Sequence, residues 1–325
     1  MIRRNVVLQG DALAVLRTLP DASVDCVVTS PPYFQLRSYQ GGAQEFGQET
    51  HVDEWVEHLR SVAGEIARVL APWGAFWLNV GDVYASRPSE GALAKSLLLG
   101  PERLAQALLA DGWIVRNRLA WTKPNPLPSS AADRLTQSWE FVYLLVRERR
   151  YFFDLDAIRE PLASAEAPRS RRIPDRRTCH GARDHGHSGL TRLGRAGLRG
   201  HPLGKNPGDA WRIAGARVRG HSASFPPELI RRPILATCPE KVCTRCGKPW
   251  QRGRHPVRFA GGKPQPRALV PCGCGVPTRP GLVLDPFMGS GTVALVAREH
   301  GRDWLGIELN AEYVQLTRDR LERSA

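Results

Sequence analysis

The chain has no apolar run that approaches the roughly 18 residues a membrane helix requires. Its opening Met1-Ile2-Arg3-Arg4 leads into too short an apolar stretch for a secretory signal, so the expected compartment is the cytoplasm. Acid is scarce: 32 Asp and Glu stand against 46 Lys and Arg, a net charge of +14. A disordered polyelectrolyte is excluded, because the 42% hydrophobic content is ordinary for a globular enzyme. A surplus that large favours a polyanionic partner, with nucleic acid foremost. Internal repeats are absent, and 325 residues suffice for one large domain or two modest ones. Cysteine is sparse over most of the chain. Cys26 and Cys179 stand alone, while Cys238, Cys243, Cys246, Cys272 and Cys274 crowd into one segment, which argues against a disulfide framework.

Apolar runs alternate with helical periods, the pattern of an α/β fold. Strands are predicted at 6–8, 24–28, 76–80, 113–121, 141–146, 282–284 and 304–307, enough for a seven-stranded sheet. Helices are predicted over 52–70, where Trp55, Leu59, Val62, Ile66 and Val69 recur near helical spacing, and over 92–109, 227–235, 292–300 and 311–323. The span 165–220 is different in kind. It holds twelve arginines with many glycines and few long apolar residues, a composition that stays solvated unless something anionic orders it. His180, His185, His187 and His201 are spaced irregularly there and do not form a metal-ligand pattern.

Two segments carry chemistry. Leu282-Val283-Leu284-Asp285-Pro286-Phe287-Met288-Gly289-Ser290-Gly291-Thr292 runs from an apolar strand through a two-glycine turn into a helix. Glycine lets the backbone approach a ligand where a Cβ would collide, and a helix start offers free N–H groups. A plain strand-to-helix turn has the same letters. The next unit sharpens the signal: Trp304-Leu305-Gly306-Ile307-Glu308 is a strand ending in an acid about twenty residues on, placed to accept ribose hydroxyls of an adenosine cofactor. In the second segment, Val24-Asp25-Cys26-Val27-Val28 ends abruptly in Thr29-Ser30-Pro31-Pro32-Tyr33. The prolines fix the backbone and remove N–H donors, leaving carbonyls as acceptors. A hydroxyl, a carbonyl and an aromatic face suit the amino group of a planar base, although proline pairs also end strands without catalytic purpose.

These segments resemble the β class of S-adenosylmethionine-dependent DNA amino-methyltransferases, over most of the chain outside the arginine-rich middle and the cysteine segment. The resemblance implies that Ser30, Pro31, Pro32 and Tyr33 are catalytic. It assigns cofactor binding to Asp11, Ala12, Thr29, His221, Ser222, Phe225, Asp285, Pro286, Phe287, Gly289, Gly291, Thr292 and Glu308. Asn206-Pro207-Gly208-Asp209-Ala210-Trp211 also recurs in that class. The implied fold is a Rossmann-like, seven-stranded mixed sheet with circularly permuted motif order. Strand 282–284 comes first, then 304–307, 6–8, 24–28 and 76–80, and the last two strands form an antiparallel hairpin. Strands 24–28 and 282–284 would lie side by side at the switch point of the sheet, where ligands bind in open α/β folds. The implied reaction is methyl transfer to the exocyclic amino group of a base flipped out of double-stranded DNA. Serine before the two prolines favours cytosine N4, with adenine N6 as the alternative. An RNA methyltransferase and a non-catalytic DNA-binding protein are the further alternatives. A cognate restriction endonuclease is compatible with the resemblance, no membrane partner is expected, and the oligomeric state is open.

Cys243-Thr244-Arg245-Cys246 and Cys272-Gly273-Cys274 give two thiolate pairs, with Gly247 and Gly273 supplying turn geometry. This is the pattern of a small structural zinc site, a ribbon-like insert with Cys243, Cys246, Cys272 and Cys274 as ligands and Cys238 as a competitor for one place. A C5-methylating nucleophile at Cys272 is disfavoured by its place inside the cluster. A zinc deaminase is disfavoured because none of the nine histidines is followed two residues later by glutamate. The expected organisation is a catalytic half at 1–160, a basic recognition insert at 161–220, a cofactor-pocket segment and helix at 221–237, the cysteine-rich insert at 238–280 and a cofactor-binding half at 281–325.

Overall fold

The computed structural model describes residues 2–37, 45–126, 128–161, 201–216, 225–253, 257–260 and 263–324. Cys179, His221, Ser222 and most of the arginine-rich span lie outside them. The chain divides into two compact units. One comprises Met1–Asp154, Gly208–Gln251 and Val270–Ala325, and the other Leu155–Pro207 and Arg252–Leu269.

The first unit is built on a sheet of β1 (Val6–Gln9), β2 (Val24–Thr29), β3 (Leu70–Val80), β4 (Ile114–Thr122), β5 (Trp139–Val146), β6 (Ala210–Arg212), β7 (Leu282–Asp285) and β8 (Asp303–Glu308). Their spatial order is β1-β8-β7-β2-β3-β5-β4-β6. β1, β8, β7, β2 and β3 run parallel, and β5 is antiparallel to both β3 and β4. The order is permuted, because a strand near the C-terminus of the chain, β7, occupies the middle of the sheet beside β2.

Both faces of the sheet are covered, as parallel strands require. On β3, Phe76, Leu78 and Val80 face one core together with Phe141, Tyr143 and Leu145 of β5. This face is covered by α1 (Ala12–Thr18), α2 (Val52–Val69) and α3 (Gly100–Ala110), with Leu16, Trp55, Leu59, Ile66, Leu104 and Leu108 buried against it. The alternate residues Ala75, Trp77, Val142, Leu144 and Val146 face the other core, under α4 (Pro227–Thr237), α5 (Thr292–Glu299) and α6 (Ala311–Arg323). The stripe predicted for α2 is buried throughout. That helix starts at a capping box in which the His51 side chain accepts from Asp53 N and Glu54 reaches back to His51 N.

The sheet has eight strands where seven are predicted. The extra one, β6, comes from the Asn206–Trp211 segment and pairs parallel with β4, setting Trp121 beside Trp211. Trp211 is buried, and β6 shields an edge that β4 would otherwise expose. The helix predicted over 92–109 begins only at Gly100. Pro101 occupies the first turn, where its missing N–H costs nothing, and Leu99 N and Gly100 N donate to Asp82 instead of continuing a helix backward. β3 starts at Leu70 and not at 76. Its pairing with β2 jumps from Val24–Leu70 to Cys26–Ala75, accommodating Pro72 and Gly74. The short α1 has too few residues to show a helical period and is fixed by Asp11, whose side chain accepts from Ala14 N at 2.8 Å. Among the described residues, no helix is long and apolar enough to cross a membrane.

The seam between β2 and β7 begins at a buried carboxylate. Asp25, with no exposed surface, accepts from Leu282 N at 2.8 Å and from both terminal nitrogens of Arg279. Asp25→Ala leaves that guanidinium and a buried N–H without their acceptor. We expect a loss of about 3 kcal/mol, read as a lower urea midpoint with unchanged slope. A midpoint within error of the wild type would show that the seam does not depend on this carboxylate.

Candidate active site

The loops leaving the C-terminal ends of β1, β2, β7 and β8 surround one cleft of about 800 Å³, part of it open to solvent. Of the expected residues, Asp11, Ala12, Ser30, Pro32, Phe225, Pro286, Phe287, Gly289, Thr292 and Glu308 line it. Thr29 and Asp285 lie buried at the strand ends, with Thr29 Oγ1 donating to Asp285 Oδ1 at 2.6 Å across 256 residues of chain. Gly291 caps α5 at φ 77°, where a Cβ would lie 2.6 Å from Thr317 Cγ2, so both backbone conformation and space demand glycine. Pro31 does not line the cleft; it borders a separate, small apolar cavity together with Leu59, Ile66 and Leu104.

Two carboxylates dominate the cleft. Glu308, at the end of β8, accepts from Gly289 N at 2.7 Å through Oε2 and from Asn310 N at 2.9 Å through Oε1. Burial pushes this carboxyl above its ordinary range, partly offset by backbone N–H donors at Asn310, Gly289 and Leu309. Asp285 is deeper. Burial pushes its carboxyl up to about 7, only partly offset by hydrogen bonds from Thr29 and Phe287 N, and the nearby Glu308 charge adds to the shift. Asp285 Oδ2 is buried with no hydrogen-bond partner among the described residues.

The Ser30–Tyr33 turn is held by residues that sequence spacing does not point to. Trp55 Nε1 on α2 donates to the Pro32 carbonyl at 2.9 Å, so of the two proline carbonyls expected to serve as acceptors, this one is engaged by the protein itself. The Tyr33 ring lies over Gly81, where a Cβ would come within 2.6 Å of Tyr33 Cε2. Its hydroxyl donates to Glu140 Oε2 at 2.7 Å and lies 3.2 Å from Asn79 Oδ1, while Ser30 Oγ is 3.4 Å from the same hydroxyl. Asn79 Nδ2 in turn donates to Glu140 Oε2 and to the Phe141 carbonyl. Lys123, just past β4, forms an ion pair with Glu140. Phe46, also unanticipated, lines the cleft and meets Phe287 edge-on at 5.4 Å. Nothing in the local sequence marks Asn79, Lys123 or Glu140, which are polar ends of otherwise ordinary strands. The one available signal is that each sits at the cleft end of its strand.

Away from the cleft, the Sγ atoms of Cys243, Cys246, Cys272 and Cys274 all lie within 4.8 Å of one another. Paired two-residue strands, Val242–Cys243 and Thr278–Arg279, bring the two halves of the cluster together, and Gly247 and Gly273 both have positive φ. The Cys246 N–H, foremost among several donors, holds the Cys243 thiol down to about 6. Cys238 is not in the cluster. It is the buried C-cap of α4, and its carbonyl accepts from Arg302 Nε at 3.0 Å.

The DNA methylase family matches residues 24–319 of the chain. Type II methyltransferase M.XycI from Xanthomonas campestris pv. cyanopsidis is 34% identical over 99% of this chain and 89% of its own length. Among solved structures, the cytosine-N4-specific PvuII DNA methyltransferase superposes with a TM-score of 0.60 at 20% identity, covering 97% of this chain and 85% of that one. A putative DNA modification methylase from Thermus thermophilus, complexed with S-adenosyl-L-methionine, gives a TM-score of 0.55 at 22% identity, covering 98% and 93%.

The ordinary value for Asp285 is 3.8, against about 7 in the folded protein. A raised carboxyl favours folding fully below the lower value, and the contribution is lost as pH rises through the upper one. Asp285→Asn keeps a neutral acceptor for Thr29. Without cofactor, this variant should melt above the wild type at pH 8, with the gap closing toward pH 4. A gap that does not narrow with acid would mean that the titration of Asp285 is not its cause.

Proposed function

The chain belongs to the DNA methylase family and is an S-adenosylmethionine-dependent, site-specific DNA methyltransferase; within that activity we propose that it methylates the exocyclic N4 of a cytosine flipped out of double-stranded DNA. The observation that carries this reading is the Ser30–Tyr33 turn fixed at the rim of the cleft, with Ser30 lining the cleft and its hydroxyl 3.4 Å from that of Tyr33.

The cofactor fits the residues present. Asp285 Oδ2, buried and unpartnered, is an acceptor in need of a cationic or hydroxyl donor, and the Glu308 lone pairs suit a ribose diol. Asp11, Ala12, Phe225, Pro286, Phe287, Gly289 and Thr292 would form the walls and Thr29 and Gly291 the support beneath; His221 and Ser222, which the resemblance adds to the cofactor residues, lie outside the described residues. S-adenosylmethionine supplies an electrophilic methyl group on a sulfonium. The protein's task is to make an amino nitrogen nucleophilic, since its lone pair is shared with the base ring. Ser30 Oγ and the Pro31 carbonyl accept the two amino hydrogens, drawing the lone pair out of conjugation and toward the methyl, and Tyr33 stacks on the ring. Pro32 holds the turn through Trp55. Glu140, Asn79 and Lys123 are positioning residues, because they hold the Tyr33 hydroxyl and so the tilt of its ring. Flipping costs a few kcal/mol, on the order of one unstacked pair.

The cysteine cluster is read as a structural zinc site. Four thiols converging from two short turns match the donor set and geometry of a closed tetrahedral centre, and the metal itself offsets the cost of ionising them.

Ser30→Ala should lower kcat by about 10²-fold while cofactor affinity survives, and loss of cofactor binding instead would move the catalytic assignment elsewhere. Tyr33→Phe and Glu140→Gln should each slow single-turnover transfer by about tenfold, with a double variant little worse than either, because both break one network. Full additivity would remove Glu140 from it. Digestion of methylated DNA to nucleosides should yield N4-methylcytosine by mass spectrometry; N6-methyladenine or 5-methylcytosine overturns the base assignment. Metal analysis of the purified protein should find about one zinc per chain. Folded, metal-free protein of equal melting temperature would sink the zinc assignment.

A further inference from the structure

α6 has a thin buried stripe. Val314, Thr317 and Leu321 recur at helical spacing and are buried, and the middle one carries a hydroxyl where an apolar side chain would pack as well. A threonine inside a helix ordinarily returns its hydroxyl to a carbonyl one turn back. Thr317 instead donates through Oγ1 to the Gly289 carbonyl at 2.9 Å, across 28 residues of chain. On the same side of the helix, Arg320 Nη1 donates to the next carbonyl of that loop, Ser290. We propose that Thr317 and Arg320 are positioning residues for the cofactor, which hold the carbonyls of the two-glycine loop against α6 and so turn its N–H edge toward the cleft. The proposal rests on the cleft holding S-adenosylmethionine and is independent of which base is methylated.

The C=O and N–H of one trans peptide point in opposite directions. With the Gly289 carbonyl drawn back to α6, the N–H of the same peptide, that of Ser290, is aimed away from α6, and Ser290 lines the cleft. Three successive carbonyls of the loop are engaged: Met288 accepts from Gly291 N at 3.0 Å, Gly289 from Thr317 and Ser290 from Arg320. The loop therefore shows its donors to the cleft, and Asp285 Oδ2 is left as the acceptor at the end of β7. Glu308 grips the loop from the cleft side through Gly289 N, and α6 grips it from behind. Contact with α6 is direct, since a Cβ on Gly291 would also lie 2.9 Å from Thr317 Oγ1.

Arg320 is half-buried. Burial and the neighbouring Arg323 charge pull its pKa below the usual arginine value. The reverse holds at Arg60, which Asp111 and Glu57 raise. A guanidinium desolvated for a backbone carbonyl serves the position of that carbonyl more than an ion pair. α6 is anchored apart from the loop. The Asn310 side chain accepts from Glu312 N at 2.8 Å at its start, and Arg298 of α5 donates to the Leu321 carbonyl at 2.7 Å near its end. A helix fixed at both ends can set the loop instead of following it.

The test is S-adenosylmethionine binding by the full-length protein without DNA. Thr317→Val keeps the shape and removes the hydroxyl, whereas Thr317→Ser keeps the hydroxyl. Thr317→Val should raise the Kd about tenfold, and Thr317→Ser should stay within about threefold of the wild type. Arg320→Met should weaken binding by a similar factor, and the double variant Thr317→Val with Arg320→Met should lose less than the sum, because both release one loop. In turnover the loss falls on the KM for the cofactor, with kcat at saturating cofactor within about twofold, since other residues hold the Ser30–Tyr33 turn. Equal weakening by Val and Ser at 317 would assign the effect to packing and overturn the proposal, as would unchanged affinity in Thr317→Val or a loss confined to kcat. Should Thr317→Val fail to fold, Arg320→Met decides, and wild-type affinity there overturns the proposal. Wild-type protein that binds no S-adenosylmethionine would overturn the cofactor reading and the proposal with it, whereas wild-type binding with insensitive variants overturns the proposal alone.

Discussion

Everything the enzyme does depends on one strand pairing, β2 against β7. β2 ends in the Ser30–Tyr33 turn and β7 ends in the two-glycine loop, although 254 to 256 residues separate the side chains joined across the seam. The seam is fastened at both ends by carboxyl groups in opposite roles. At the entry, Asp25 is an anion meeting a guanidinium and an N–H. At the exit, Asp285 takes a hydrogen bond from Thr29, and burial keeps its proton near neutral pH. The first arrangement locks the register. The second leaves an acceptor with unspent capacity at the floor of the cleft, which is where a cofactor would offset the cost of its burial.

That pairing explains how motifs at opposite ends of the chain make one site. The two glycines and two prolines are legible in the sequence because they are backbone instructions, and backbone instructions act locally. Glu308 is legible for the same reason: it follows a strand at a fixed distance from the glycine loop. Asn79, Lys123 and Glu140 are not, because what unites them is sheet order. Tyr33 reaches Asn79 across 46 residues and Glu140 across 107, and only the antiparallel placement of β5 between β3 and β4 brings the three together. The eighth strand is hidden because three residues cannot show a period, and its buried Trp211 is recognisable only beside Trp77. The start of α3 is misleading because Leu97, Leu98 and Leu99 continue the apolar pattern of a helix, whereas Asp82 captures the backbone donors at Leu99 and Gly100.

The cysteine segment shows the same limit. Spacing identifies two thiol pairs but leaves Cys238 as a rival ligand. Its exclusion follows from α4, whose end places Cys238 in the core beneath β2 and β7, with its thiol pushed well up by burial. A buried thiol with a raised pKa is a poor ligand and a good small apolar residue. The four cysteines that do converge lie outside that core: Cys246 and Cys272 are exposed and Cys274 half-buried, and Cys243, though buried, sits on the short strand that pairs with Thr278–Arg279.

A methyltransferase that flips its base must hold a long duplex firmly while leaving one nucleotide free to move. The sheet unit carries little of the net charge, +3 of +14, so its cleft is not a strong general trap for phosphate. In the proposed reading the cleft discriminates by shape and hydrogen bonding, with neutral acceptors at Ser30 and the Pro31 carbonyl in place of fixed cations. A cation beside the target amino group would oppose the positive charge that develops on its nitrogen during transfer. Lys123, the cation nearest the turn, is paired to Glu140, so its charge is met within the protein.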